Sequence, residues 1–95
     1  MRQDYLLYKI TVDEIQELLE ALEASGDVSE NAVRALNMHL TAVSQFEGNR
    51  DGGKVARHME SFMLLLDQQY GNDQVTDHAY EMLKADADDL YRQWK

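Results

Sequence analysis

The sequence predicts an all-α fold, a small bundle of four helices. Apolar residues recur at helical spacing in four segments, and no segment of useful length alternates as a strand would. The segments are separated by Gly26, Gly48 and Gly71, each followed within a few positions by a residue of the type that caps a helix. The length of 95 residues indicates one domain. We place this helical domain at residues 11–95, after a short N-terminal segment at residues 1–10.

The first helix is predicted to begin at Thr11, because Thr11 and Glu14 form the capping-box pattern T-x-x-E. Gly26 is expected to supply the left-handed conformation that ends this helix. Residues 1–10 either extend the helix or lie over the bundle, and the pattern leaves both arrangements open. The residues expected on the buried face are Ile15, Leu18, Leu19 and Leu22.

The second helix is expected to start at Ser29 as N-cap, with Val28 packing before it as a hydrophobic staple. Gly48 closes this helix, and residues 49–53 are predicted to form a flexible loop. The residues expected on its buried face are Val33, Leu36, Leu40, Val43 and Phe46.

The third helix is predicted to be the most buried, because Leu64 and Leu65 widen its apolar face. Gly71 ends it, and Thr76 is expected to cap the fourth helix behind a staple at Val75. The two apolar faces comprise Val55, Met59, Phe62, Met63, Leu66 and Tyr70, then Ala79, Met82, Leu83, Leu90 and Trp94.

Three helix starts share one plan, an apolar residue followed by a hydroxyl residue. The three pairs are Ile10 with Thr11, Val28 with Ser29, and Val75 with Thr76. We interpret the plan as ordinary helix capping and predict no internal repeat, because the loops are too unequal for a solenoid period.

Composition argues against several classes of partner. The net charge is −9, from 18 acidic and 9 basic residues, so the surface should repel nucleic-acid phosphates and anionic lipid head groups. No apolar run approaches the roughly 18 residues needed to span a bilayer. We therefore predict no nucleic-acid binding and no membrane insertion.

The residue pattern provides no recognisable catalytic apparatus. The chain has no cysteine, so thiol nucleophiles and cysteine-bound zinc are excluded, and no serine lies in a Gly-x-Ser-x-Gly elbow. The histidines are His39, His58 and His78, and no two have the i, i+4 spacing of a helical zinc site. We predict a protein that is not an enzyme and has no metal or cofactor. A metal protein that uses all three histidines remains the alternative.

Two acidic stretches stand out. Asp86, Asp88 and Asp89 are expected to fan outward on the last helix as a solvated face. Between Lys9 and Arg34 the chain carries seven acids and no basic residue, and neighbouring like charges on a helix cost a few tenths of a kcal/mol each. A tolerated cost of this kind can mark a binding surface, although a merely solubilising surface is the alternative. The candidate interaction face comprises Glu17, Glu20, Glu23 and Asp27.

Three stretches of the chain resemble the FIMAH module, found at the C-termini of extracellular bacterial hydrolases. They are LEASGDVS at residues 22–29, ARHMESF at residues 56–62 and ADADDLYRQW at residues 85–94. No single stretch is highly specific, but their order and spacing extend over about four-fifths of the chain. The resemblance implies a small, all-helical, non-catalytic appendage.

The leading hypothesis is a non-catalytic helical interaction or targeting module, accessory to a secreted bacterial hydrolase and therefore extracellular. Its partner would be a protein or a component of the cell envelope or matrix. The alternative is a stand-alone acidic adaptor or regulator in the cytoplasm that binds a basic protein surface. The sequence leaves the oligomeric state open.

Overall fold

Four helices, antiparallel from one to the next, build the fold in a computed structural model that describes residues 10–94. Helix α1 runs Val12–Ala24, α2 Glu30–Gly48, α3 Gly52–Gly71 and α4 Asp77–Trp94. Helix α3 packs between α2 and α4, and α1 packs against α2 and α4. The predicted all-α class with four helices is confirmed. The prediction for the segment before Ile10 falls outside the described residues.

The predicted helix starts are also confirmed. The Thr11 backbone N–H donates to Glu14 Oε1 at 2.9 Å, which is one half of the capping box. Ser29 Oγ accepts from the Ala32 N–H at 3.2 Å, and Thr76 Oγ1 accepts from the Ala79 N–H at the same distance. Each hydroxyl therefore satisfies a backbone donor that has no partner within its own helix.

The loop predicted at residues 49–53 is shorter than expected. Asp51 caps α3, accepting from the Lys54 N–H at 3.3 Å, and the helix begins at Gly52. A Cβ atom on Gly52 would lie 3.1 Å from the Trp94 carbonyl oxygen and 3.2 Å from its ring. Gly52 thus permits the end of α4 to approach the start of α3 closely, rather than providing loop flexibility.

The core follows the predicted stripes, with three exceptions. Leu64 is 66% exposed, Met82 38% and Tyr70 37%. The expectation that Leu64 widens the buried face was wrong, because it lies two residues, or about 200°, from both Phe62 and Leu66, which are fully buried. Leu65, on the flank, is partly buried against the core.

The fold is an internal structural repeat, contrary to our prediction. The loop between α1 and α2 matches the loop between α3 and α4 at a spacing of 47 residues, the separation of Val28 and Val75. Matching positions are buried in both halves. These core pairs are Val12 and Met59, Ile15 and Phe62, Leu19 and Leu66, Ala32 and Ala79, Leu36 and Leu83, Leu40 and Ala87, and Val43 and Leu90.

Backbone hydrogen bonds repeat with the same spacing. The Gly26 N–H donates to Glu23 O at 3.0 Å, and the Asp73 N–H donates to Tyr70 O at 3.1 Å. Both donors have left-handed backbones, with φ of 86° at Gly26 and 61° at Asp73. Because the second position is not a glycine, a search for matching glycines would not reveal the repeat.

The two loops meet across an approximate two-fold axis. Val28 and Val75 form an isolated antiparallel bridge. The Ser29 N–H donates to Gln74 O at 3.0 Å, and the Thr76 N–H donates to Asp27 O at 2.9 Å. This reciprocal pairing fixes the starts of α2 and α4 side by side. We call this part of the molecule the loop end.

Candidate functional site: the acidic loop end

Asp27 is held by both loops. Its carboxylate accepts from Ser25 Oγ at 2.6 Å within its own loop and from Thr76 Oγ1 at 2.9 Å across the axis. The hydrogen bonds from Ser25 and then Thr76 lower the pKa of Asp27, and the charge of His78 adds a smaller effect in the same direction. Asp27 therefore carries a fixed negative charge at the junction of the loops.

A polar cleft of about 370 Å³ opens beside Asp27. Asp73 and Asp77 contribute two further carboxylates from the second loop and the start of α4, and among residues 10–94 no lysine, arginine or histidine lines the cleft. Gln74 and Thr76 add hydrogen-bonding side chains. The chemistry of this lining favours a cationic or hydrogen-bond-donating group over an anion.

Tyr70 forms the aromatic wall of the cleft. Its ring stacks on Tyr80, with centroids 4.3 Å apart and planes inclined by 18°. Its hydroxyl donates to Asp77 Oδ1 at 2.6 Å, and this hydrogen bond to a carboxylate raises the pKa of Tyr70. Through this hydrogen bond, Tyr70 connects the end of α3 to Asp77 at the start of α4.

A carboxylate on α3 holds the stack from the other side. Asp67 Oδ1 accepts from Tyr80 Oη at 2.7 Å and from Lys84 Nζ, also at 2.7 Å. Its pKa is lowered, first by the Lys84 hydrogen bond and then by that of Tyr80. Both tyrosine rings are therefore oriented by charged partners before any ligand arrives.

The predicted interaction face is only partly continuous with this cleft. Glu17 and Glu20 are exposed along α1, Glu23 is half-buried, and Asp27 lines the cleft. Sequence reasoning missed Asp73, Asp77 and Tyr70, which the pairing of the loops brings next to Asp27. The sequence signal that could have indicated this pairing of the loops is the helix-start pattern shared by Val28 and Val75, which capping alone also explains.

Two of the three histidines come together at a different place. His39 on α2 and His58 on α3 have ring centroids 5.9 Å apart, and the His58 ring lies 5.1 Å from that of Phe46. His78 lies exposed in the first turn of α4, away from that pair. Within residues 10–94 no three histidine or acidic side chains are grouped so that they could hold a metal ion. A site made of all three histidines is therefore not formed.

The acidic stretch on α4 is less uniformly solvated than predicted. Asp86 is half-buried, and burial raises its pKa, with smaller contributions from the charges of Asp89 and Glu14. Asp88 forms an ion pair with Arg92 one turn later. Arg92 lines a second cleft of about 380 Å³ together with Glu14, Asp86 and Asp89, so the lining of this cleft carries both signs of charge.

These features define a class of protein: a small all-α domain of two helix–loop–helix halves, with a polar, acidic loop end. A model of the FIMAH domain matches residues 12–92, and the chain belongs to this family. The match confirms the resemblance seen in the sequence. No curated protein and no solved structure matches the chain. Within residues 10–94, no helix is both long and apolar enough to cross a membrane.

Proposed function

We propose that this FIMAH domain is a non-catalytic interaction module that serves as an accessory to a secreted bacterial hydrolase. It attaches its parent enzyme to a protein or to a component of the cell envelope or matrix. The group recognised is cationic, an amine or a guanidinium. The observation that carries the proposal is the cleft at the loop end, where three carboxylates and a tyrosine ring converge and no basic side chain of the described part of the chain joins the lining.

The electrostatics favour this partner class. The chain has an excess of nine acidic residues, and two of them, Glu17 and Glu20, are exposed on α1. Aligned negative charges accelerate the approach of a cationic partner and repel anionic ones. The exposed part of the Tyr70 ring offers a face against which a cation can pack.

The proposal can be tested by measuring retention of the purified domain on a cell-envelope fraction at several salt concentrations. Retention should fall as salt rises, because surface charges are screened over about 10 Å at 0.1 M salt. The charge-reversed double variant Glu17→Lys/Glu20→Lys should lose most of the retention. Asp73→Asn should weaken it by removing one cleft carboxylate.

The matched control is Asp89→Lys, which reverses an exposed acid on α4 near the opposite end of the bundle. Compared with Glu20→Lys, it makes the same change in net charge. Equal losses for Glu20→Lys and Asp89→Lys would show that only net charge matters. Retention that is insensitive to salt and to all of these variants would refute the proposed surface.

A further inference from the structure

We propose that His39 and His58 form an interhelical binding site for a divalent transition-metal ion such as Zn²⁺, Ni²⁺ or Cu²⁺. The two side chains come from neighbouring helices, α2 and α3, and their rings lie close together across the interface, with planes inclined by 54°. The remaining coordination positions would be filled by water. This site is separate from the loop end and does not depend on the function proposed for it.

The distance between the rings fits a shared metal. A metal–nitrogen bond of about 2.1 Å puts the ion about 3.2 Å from each imidazole centre, so two rings that share it at bond angles of about 90–110° have centres about 4.5–5.3 Å apart. The centroids of His39 and His58 are 5.9 Å apart. Closing the pair around an ion therefore requires only a small adjustment of the side chains.

The state of the two rings also suits metal binding. Partial burial, and then the charge of His58, lower the pKa of His39, which keeps its ring neutral with a lone pair available. His58 Nδ1 is buried and makes no hydrogen bond to any of the residues that the structure describes. A buried polar atom without a partner is rare in proteins, and coordination would satisfy it.

The surroundings select the class of ion. No carboxylate completes a set of three ligands among the described residues, so hard ions that need several oxygens, such as Mg²⁺ and Ca²⁺, are disfavoured. Imidazole nitrogen suits Zn²⁺, Ni²⁺ and Cu²⁺. Lys54 Nζ lies 5.4 Å from the centre of the Phe46 ring, which in turn packs beside His58, and this positive charge favours a weak, readily reversible site.

The first test is to follow the imidazole NMR signals of the wild-type domain during a Zn²⁺ titration at pH 7.5. The signals of His39 and His58 should shift or broaden together and saturate, while Mg²⁺ at the same concentrations leaves them unchanged. The signal of His78 should not follow the same curve. No response from the His39 and His58 signals, or a response from His78 alone, would overturn the site.

The second test measures the effect of metal on stability in wild type and in single variants. At a Zn²⁺ concentration ten times the dissociation constant, the folding equilibrium constant should rise about tenfold. His39→Gln and His58→Gln should each remove this gain, while the control His78→Gln retains it. The gain should also disappear near pH 5, where protons compete for the imidazoles. A gain that persists in His39→Gln would overturn the site.

Discussion

The pairing of the two loops can be tested by shortening the side chains that meet there, Val28 and Val75. Both are buried, at 2% and 3% exposure. Each change to alanine removes two carbon atoms, which costs about 1.6 kcal/mol of burial, and the cavity raises the cost to about 2 kcal/mol. For a domain of this size, that loss lowers the melting temperature by roughly 8–16 °C.

The informative quantity is the coupling between the two changes, measured by urea unfolding followed by circular dichroism. Val28→Ala and Val75→Ala remove partners from one contact, so the double variant should differ from the sum of the single losses by at least about 0.5 kcal/mol. Val55, fully buried near the opposite end of the bundle, supplies the control. Val28→Ala with Val55→Ala should add within about 0.5 kcal/mol. Equal additivity in both double variants would refute a direct packing of the loops.

Three further predictions concern single positions. The folded state lowers the pKa of His39, so the contribution of His39 to the free energy of unfolding should be complete above pH about 6.5 and should be lost as the pH falls through the lowered value. The variant His39→Gln should flatten this pH dependence, as measured by urea unfolding at several pH values. Gly26→Ala should lower the free energy of unfolding by about 1–2 kcal/mol, because a φ of 86° is unfavourable for alanine. Gly71→Ala should raise it by up to about 1 kcal/mol, because the added Cβ atom would meet open space. Thermal unfolding of the two variants measures both effects. Leu64→Ser should change the unfolding free energy by less than about 0.5 kcal/mol, while Phe62→Ala should cost about 3–5 kcal/mol.

The parts of the fold that the sequence predicts are the local ones. The hydroxyls of Ser29 and Thr76 each accept from a backbone donor three residues later, and the Thr11 N–H donates to the Glu14 side chain. Such short-range contacts can be predicted from sequence spacing. The apolar stripes are local in the same sense. The exceptions were Leu64, Met82 and Tyr70; around Leu64, the run of leucines suggested a wider apolar face than α3 buries.

The candidate site could be predicted only in part, because it depends on residues far apart in the chain. Glu17, Glu20 and Asp27 stood out as charges without nearby cations. The contact between Asp27 and Thr76 spans 49 positions and is set by the docking of one half on the other. Nothing in the local spacing near Asp73 or Asp77 indicates that they lie beside Asp27.

The repeat also shows where the two halves have diverged. At the loop end, Tyr70, Asp73 and Asp77 occupy the positions that Glu23, Gly26 and Glu30 hold in the other half. The aromatic ring and the carboxylate of Asp73 therefore have no counterpart in the α1–α2 half, whereas Asp77 matches another acid, Glu30. A packing role common to both halves would not require this difference, so it is better explained by contact with something outside the fold.

The histidine pair differs between the halves in the same way. The approximate two-fold axis relates the α2–α3 interface to the α4–α1 interface. At the spacing of 47 residues, Asp86 occupies the position of His39, and Thr11 occupies that of His58. Core pairs such as Leu36 and Leu83 are identical or remain apolar, because both members of each pair are buried. The imidazole pair has no counterpart in the other half. The buried Nδ1 of His58, which has no partner among the described residues, lowers the free energy of unfolding unless a ligand binds it. The asymmetry and the cost together favour a ligand at the histidine pair over a purely structural role.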